Sequence, residues 1–215
     1  MSLNYIGVNS KHKKILVTSA ISGEGKSFVA ANLASSLALT NKRVILVDFD
    51  LNNPSISSQF DIEEKKGVTD YLKGESTLED IIQPTEINSS LFVISTGKLP
   101  SNPTELIMGE LAEELIKSLE DIFDYVIIDT APVMPVTDAY IISQLCDATL
   151  YVVRYNYTPK TFIERLDHNN RLNHLKNAAI VFNGITARGL GSTNYGYGYN
   201  YDNNQSRKML SNSSS

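Results

Sequence analysis

The stretch Ala20-Ile21-Ser22-Gly23-Glu24-Gly25-Lys26-Ser27 constrains this 215-residue chain more than any other. It lies between a β-branched run, Lys14 to Ser19, and an Ala- and Leu-rich segment, Phe28 to Leu39, that reads as a helix. This is the P-loop pattern with Ala in place of the first Gly. Its physics is definite. Glycines let the backbone wrap a phosphate while successive N–H groups point inward. The helix N-terminus adds a partial positive charge. The Lys26 ammonium reaches toward the β- and γ-phosphates, and the Ser27 hydroxyl can ligate Mg²⁺. ATP with Mg²⁺ is the expected ligand. Ser22, Gly23, Glu24, Gly25, Lys26, Ser27 and Phe28 are expected to line its site.

The rest of the chain repeats the same alternation. Val44 to Asp48 is a continuous apolar run ending on an acid, and so is Tyr125 to Asp129. Runs apolar at every position suit strands buried on both faces of a parallel sheet. Leu91 to Thr96, Ala148 to Val153 and Ala178 to Asn183 are three more strands. Gly67 to Asp80 reads as short helical pieces. Asn102-Pro103-Thr104-Glu105 opens a helix, with Asn at the N-cap, Pro at N1 and Glu at N3, expected to run to about Leu119. Thr137 is expected to cap a helix to about Gln144, and Thr158-Pro159 to start one reaching about Leu175. The prediction is a doubly wound α/β fold, a mostly parallel sheet flanked by helices. Ligands of such folds bind outside the carboxyl ends of the strands. The loop at 23–27, Asp48 and Asp129 all fall there.

Two acids therefore close apolar strands beside a phosphate loop. A carboxylate at such a position holds Mg²⁺ directly or through water. Ser27, Asp48 and Asp129 are the expected metal ligands. Lys26, Asp48, Asp50 and Asp129 are the expected catalytic set, with Asp48 or Asp50 as proton acceptor.

Composition narrows the field. A formal net charge of −5 argues against nonspecific affinity for nucleic acid or an anionic membrane. One cysteine, Cys146, allows no internal disulfide and fits a reducing compartment. No apolar run reaches the ~18 residues of a membrane span. The segment 189–215 changes character to Gly, Ser, Asn and Tyr, and is expected to be a flexible tail after a nucleotide-binding domain over 1–188. Tyr195, Tyr197, Tyr199 and Tyr201 alternate there with Gly and Asn.

Taken together, the residues resemble the bacterial tyrosine kinases of capsule and exopolysaccharide synthesis, from about Lys14 to Asn183. Ser22 to Ser27 is similar to the family's Walker A motif, and Ile45 to Asp50 to its Walker A′. Val126-Ile127-Ile128-Asp129-Thr130-Ala131-Pro132 is similar to its Walker B. The segment Asn102 to Leu106 and the tyrosine tail also resemble their counterparts. The resemblance implies ATP-dependent transfer of phosphate to tail tyrosines of a neighbouring subunit. It further implies a ring homo-oligomer in the full-length protein and a transmembrane chain-length regulator, fused or separate, as partner. The setting is then the cytoplasmic face of the bacterial inner membrane. It suggests Asn183 as an adenine contact. Two departures stand out. Asn52-Asn53 occupies the place where the family usually has an Arg, and the family's E-x-x-R-x-x-R ring motif is not seen ahead of the first strand. The chain is accordingly expected to be a piece of a longer protein, with ring assembly belonging to the whole. Two other readings share the nucleotide motifs: a non-catalytic ATP-binding adaptor of polysaccharide export, and a partitioning or division-site ATPase. The second normally carries an additional lysine early in the loop, where this chain has Ser19-Ala20-Ile21-Ser22.

Overall fold

A computed structural model describes residues 13–62, 66–134, 136–164, 166 and 175–185. The first half runs β1 (Lys14–Ser19), α1 (Lys26–Ala38), β2 (Val44–Phe49), α2 (Ile56–Phe60), α3 (Val68–Leu72), α4 (Leu78–Ile81), β3 (Gln83–Pro84) and β4 (Leu91–Ile94). The second half runs α5 (Pro103–Ile107), α6 (Glu110–Ile122), β5 (Tyr125–Thr130), α7 (Asp138–Ser143), β6 (Ala148–Arg154) and β7 (Ala178–Asn183). The strands form one sheet in the order β3-β4-β2-β5-β1-β6-β7. Every pairing is parallel except that of β3 with β4.

The period of two along a strand explains both layers of the core. Ile15 and Val17 of β1, Val44 and Leu46 of β2 and Ile127 of β5 face α1, against Ala30, Ala34 and Ala38. Leu16, Ile45, Val47, Val126 and Ile128 face the other way, against Leu115, Ile116, Leu119 and Ile142. Each fully buried Leu, Ile or Val contributes roughly 1.5–3 kcal/mol over exposure. That is why continuous apolar runs were legible as central strands. The alanine face of α1 lets the helix lie close to the sheet and sets its first turn at the end of β1. The stripe Ala112, Leu115, Ile116 and Leu119 on α6 follows the i, i+3, i+4, i+7 spacing of a one-faced helix.

Three expectations change. The helix expected from Asn102 to about Leu119 is two helices, because Gly109 takes an extended conformation and caps α6 instead of continuing α5. Glycine in a helix interior costs about 1 kcal/mol, so a break there is inexpensive. Asn102 does sit at the N-cap, but its amide donates to the Glu105 carboxylate (2.7 Å) rather than capping backbone. The two-residue strand β3 was not foreseen; it ends on Pro84 at the sheet edge, where a missing N–H is tolerated. Residues 160–164 are helical as expected after Pro159. Residues 167–174 of that expected helix lie outside the described residues, as do Tyr195, Tyr197, Tyr199 and Tyr201. Among the described residues no helix is long and apolar enough to cross a membrane.

Candidate nucleotide site

The sheet order places β1 between β5 and β6, so the chain leaves β1 in one direction and reaches β6 in the other. A crevice opens at the carboxyl end of such a strand. The loop of residues 20–25 fills that end. Gly23 (φ 86°) and Gly25 (φ 89°) adopt left-handed conformations that side chains resist. Lys26 begins α1.

Strand register then assembles the charges. β2 and β5 pair so that Asp48 lies opposite Asp129, and Val17 of β1 lies on the other side of Asp129. All three acids are buried: Asp48 and Asp129 fully, Asp50 nearly so. The Lys26 Nζ is 2.8 Å from Asp50 Oδ2, 3.3 Å from Asp129 Oδ2 and 3.1 Å from Ser27 Oγ. The structure thus brings together Lys26, Ser27, Asp50 and Asp129, residues far apart in the chain.

Asp48 is beside this cluster and used differently. Its Oδ1 accepts from Asp50 N (3.2 Å), and its Oδ2 accepts from Ser55 N (3.1 Å) and Ile56 N (3.0 Å). The carboxylate folds the 50–56 turn onto the end of β2. Asp129 is the opposite case. Its Oδ1 is buried and has no hydrogen-bond partner among the described residues. Such an orphan costs free energy unless a ligand completes it.

The electrostatics agree. Burial opposes the Lys26 ammonium, yet Asp129, then Asp50 and Asp48, outweigh it and raise its pKa above the ordinary value. Burial pushes the Asp129 carboxyl up, with Lys26 pulling it back and Asp48 and Asp50 adding to the rise. Burial likewise pushes Asp48 up, against the pull of the Ile56 N–H and of Lys26. Three carboxylates face one ammonium, an excess of negative charge that a divalent cation would offset. Among the described residues no three His, Cys, Asp or Glu side chains converge so that they could hold a metal ion by themselves. Mg²⁺ that keeps waters and substrate phosphates needs only one or two protein ligands. The orphaned Asp129 oxygen and the neighbouring Ser27 hydroxyl fit that ion.

A pocket of ≈180 Å³ opens above the cluster, lined by Ser22, Gly23, Gly25, Lys26, Ser27, Phe28, Asn53 and Ser55. Phe28 is largely exposed at its rim. Glu24 does not line it. Its buried carboxylate turns away, accepting Ile21 N (2.8 Å) and the Thr158 hydroxyl. Of the expected cradle residues from Ser22 to Phe28, Glu24 is the one that does not line the pocket. Asn183 stands behind the loop: its Nδ2 donates to Glu24 O (3.0 Å) and its Oδ1 accepts Gly184 N (2.8 Å).

A supporting layer was not read from the sequence. Asp138 is fully buried and accepts Thr104 Oγ1 (2.7 Å) and Asn52 Nδ2 (3.4 Å). It ties the segment opened by Asn102, the turn after Asp50 and α7 together. Asn53 N donates to Asp50 Oδ1 (2.9 Å), so the Asn52 side chain and the Asn53 backbone both hold the turn in shape. Arg154, Tyr157 and Thr158 were missed too. Their signal was positional: Arg154 ends β6, the strand next to β1, and Tyr157 and Thr158 follow it at the same carboxyl edge.

Residues 12–168 match a protein-family model described as an AAA domain. Among curated proteins, the chain is 36% identical over 194 residues to tyrosine-protein kinase ptk of Acinetobacter johnsonii. That match covers 90% of this chain and 26% of that protein, so the chain spans about a quarter of its length. It is also 36% identical over 183 residues to tyrosine-protein kinase CpsD of Streptococcus agalactiae, covering 84% of this chain and 78% of that one. Among solved structures, the kinase domain of Escherichia coli tyrosine kinase ETK superposes with a TM-score of 0.81 at 28% identity, covering 92% of this chain and 76% of the other.

Proposed function

Because this chain belongs to the family of bacterial protein-tyrosine kinases, we propose that it transfers the γ-phosphoryl group of ATP to tyrosine hydroxyls, first among them Tyr195, Tyr197, Tyr199 and Tyr201 of a neighbouring copy. The observation that carries the reading is the buried Lys26–Asp50–Asp129 cluster beneath a glycine cradle, with one Asp129 oxygen left without a partner.

The loop N–H groups and the Lys26 ammonium bind the β- and γ-phosphate oxygens and offset the charge that develops as the phosphoryl group moves. Lys26 exchanges its carboxylate contacts for phosphate ones as the nucleotide enters. Mg²⁺, held by Ser27 Oγ and Asp129, would supply further charge neutralisation on the phosphates. The phenolic oxygen forms a P–O bond to the γ-phosphorus while the bond to the bridging oxygen breaks and ADP departs. The phenolic proton passes to a carboxylate. Of the two candidates, Asp50 is better placed, because it contacts Lys26 while Asp48 is committed to three backbone N–H groups.

A tail after Gly184 suits transfer between copies, since an extended dozen residues spans roughly 40 Å. Within the family's setting, the whole protein would form a ring at the cytoplasmic face of the inner membrane. It would work with a transmembrane chain-length regulator in capsule or exopolysaccharide synthesis.

Mass spectrometry of phosphatase-treated protein returned to Mg-ATP tests the proposal. Phosphate on the tail tyrosines, absent in Lys26→Met, is the expected result. An unmodified chain, with the full-length protein equally unmodified, would leave the ATP-binding adaptor in its place.

A further inference from the structure

In a trans peptide unit the C=O of one residue and the N–H of the next point in opposite directions. Fixing a loop carbonyl on one side therefore aims the following amide at the other. Three consecutive carbonyls of the phosphate loop are fixed in this way from behind. Ser22 O accepts from Tyr157 Oη (2.9 Å), Gly23 O from Arg154 Nη1 (2.8 Å) and Glu24 O from Asn183 Nδ2 (3.0 Å). The amides that follow belong to Gly23, Glu24 and Gly25, the central stretch of the cradle.

We propose that Arg154, Tyr157 and Asn183 are positioning residues for phosphate recognition, a three-point brace that holds the loop carbonyls outward so that the N–H groups of residues 23–25 face the nucleotide phosphates. The proposal rests on the nucleotide-binding half of the function above and not on transfer to tyrosine.

The brace is itself anchored. Arg154 and Asn183 are paired in register at the ends of β6 and β7, and Tyr155 N donates to Asn183 O (2.9 Å). The Arg154 guanidinium lies over the Tyr157 ring, with Cζ 5.2 Å from its centroid. Arg154 N donates to Thr158 Oγ1 (2.8 Å), and that hydroxyl reaches the Glu24 carboxylate. The loop glycines are shaped to the brace as well as to the phosphates. A Cβ on Gly23 would come within 2.6 Å of Tyr157 Oη, and one on Gly25 would collide with Asn183 Nδ2. Without the brace the short glycine loop is free to turn its carbonyls inward, where they would repel the phosphate oxygens. Holding it open in advance removes an ordering cost from binding.

The experiment is calorimetric binding of Mg-ADP and of Mg-pyrophosphate to the 215-residue chain and to Tyr157→Phe, Arg154→Met, Arg154→Lys and Asn183→Ala. Loss of a single neutral or charge-assisted hydrogen bond predicts affinities weaker by about three- to tenfold for both probes. Arg154→Lys, which keeps a cationic donor, is expected to recover part of the loss. Melting temperature is the control for folding, and Tyr157→Phe, which removes one hydroxyl, tests the brace without touching the core. Tyr157→Phe and Arg154→Met both within twofold of wild type on both probes would overturn the brace. Asn183→Ala weakening ADP but not pyrophosphate would overturn its part in the brace and return that residue to reading adenine. A wild-type chain that fails to bind Mg-ADP overturns the nucleotide reading itself, a different result from tight binding with unmoved variants.

Discussion

The carboxyl ends of β2 and β5 carry the same sequence signal and do different work. Each is an apolar run closed by an aspartate, the two strands pair directly, and Asp48 and Asp129 lie opposite one another, both fully buried. Asp48 spends its oxygens on three backbone N–H groups of the turn that follows it. Asp129 has one oxygen on Lys26 and one without a partner among the described residues. One carboxylate is spent on the local backbone, and the other keeps an oxygen without a partner among the described residues. A buried acid is therefore informative only when its hydrogen bonds have been accounted for.

The largest expected effect separates the two. Under the proposed function, Asp129→Asn should lower phosphotransfer about a hundredfold or more, since it removes the carboxylate proposed to hold Mg²⁺ against the phosphates. The same substitution should leave the fold sound and raise the melting temperature at pH 8 by a few degrees, at roughly 2–4 °C per kcal/mol. The sign follows from linkage. Burial raises the Asp129 pKa in the folded protein, so between the ordinary carboxylate range and neutrality the folded state holds more protons than the unfolded. The associated stability is present at low pH and lost as pH rises through the folded value. Asparagine avoids that loss. A melting temperature that falls instead would show that Asp129 serves the fold as Asp48 does.

Burial raises the Asp48 pKa as well, so Asp48→Asn gains some of the same relief. The three N–H groups that depend on its oxygens are expected to make the net effect a loss of stability. An amide placed against Ser55 N–H and Ile56 N–H leaves buried donors facing a donor, a cost of about 1–3 kcal/mol. The melting temperature should drop by roughly 2–12 °C. Thermal denaturation of the two variants side by side breaks the comparison if they shift in the same direction.

The smallest effect concerns pH. Protonation of Asp129 competes with cation binding, so Mg-ADP affinity should be about tenfold weaker at pH 6 than at pH 8. In Asp129→Asn that slope should flatten. An unchanged slope in the variant would assign the titration to Asp48, whose pKa burial also raises.

Much of this was legible in the chain. Lys14 to Ser19 followed by Gly23 to Ser27 fixed a strand, a cradle and a helix start, because glycine freedom and helix-end polarity are local properties. Runs such as Val44 to Val47 announced central strands, because a strand covered on both faces is apolar at every position. Gly109 shows the limit: N-cap and proline signals placed the start at Asn102 correctly, yet the helix broke after Ile107. Glu24 shows another. Its neighbours marked it as a cradle residue, and only the fold reveals a carboxylate turned toward Ile21 and Thr158.

By itself the sequence determined the alternating order of elements, the phosphate loop and the acids that close two strands. Those signals are written in spacing over a few residues. The tertiary structure decided which acid has its oxygens taken up by backbone and which keeps one without a partner among the described residues, why Asn52 and Thr104 belong to one buried cluster on Asp138, and which side chains grip the loop from behind. Those depend on parallel register, which brings Asn183 and Arg154 to the same edge as Gly23, across separations of up to 159 residues that no local pattern encodes.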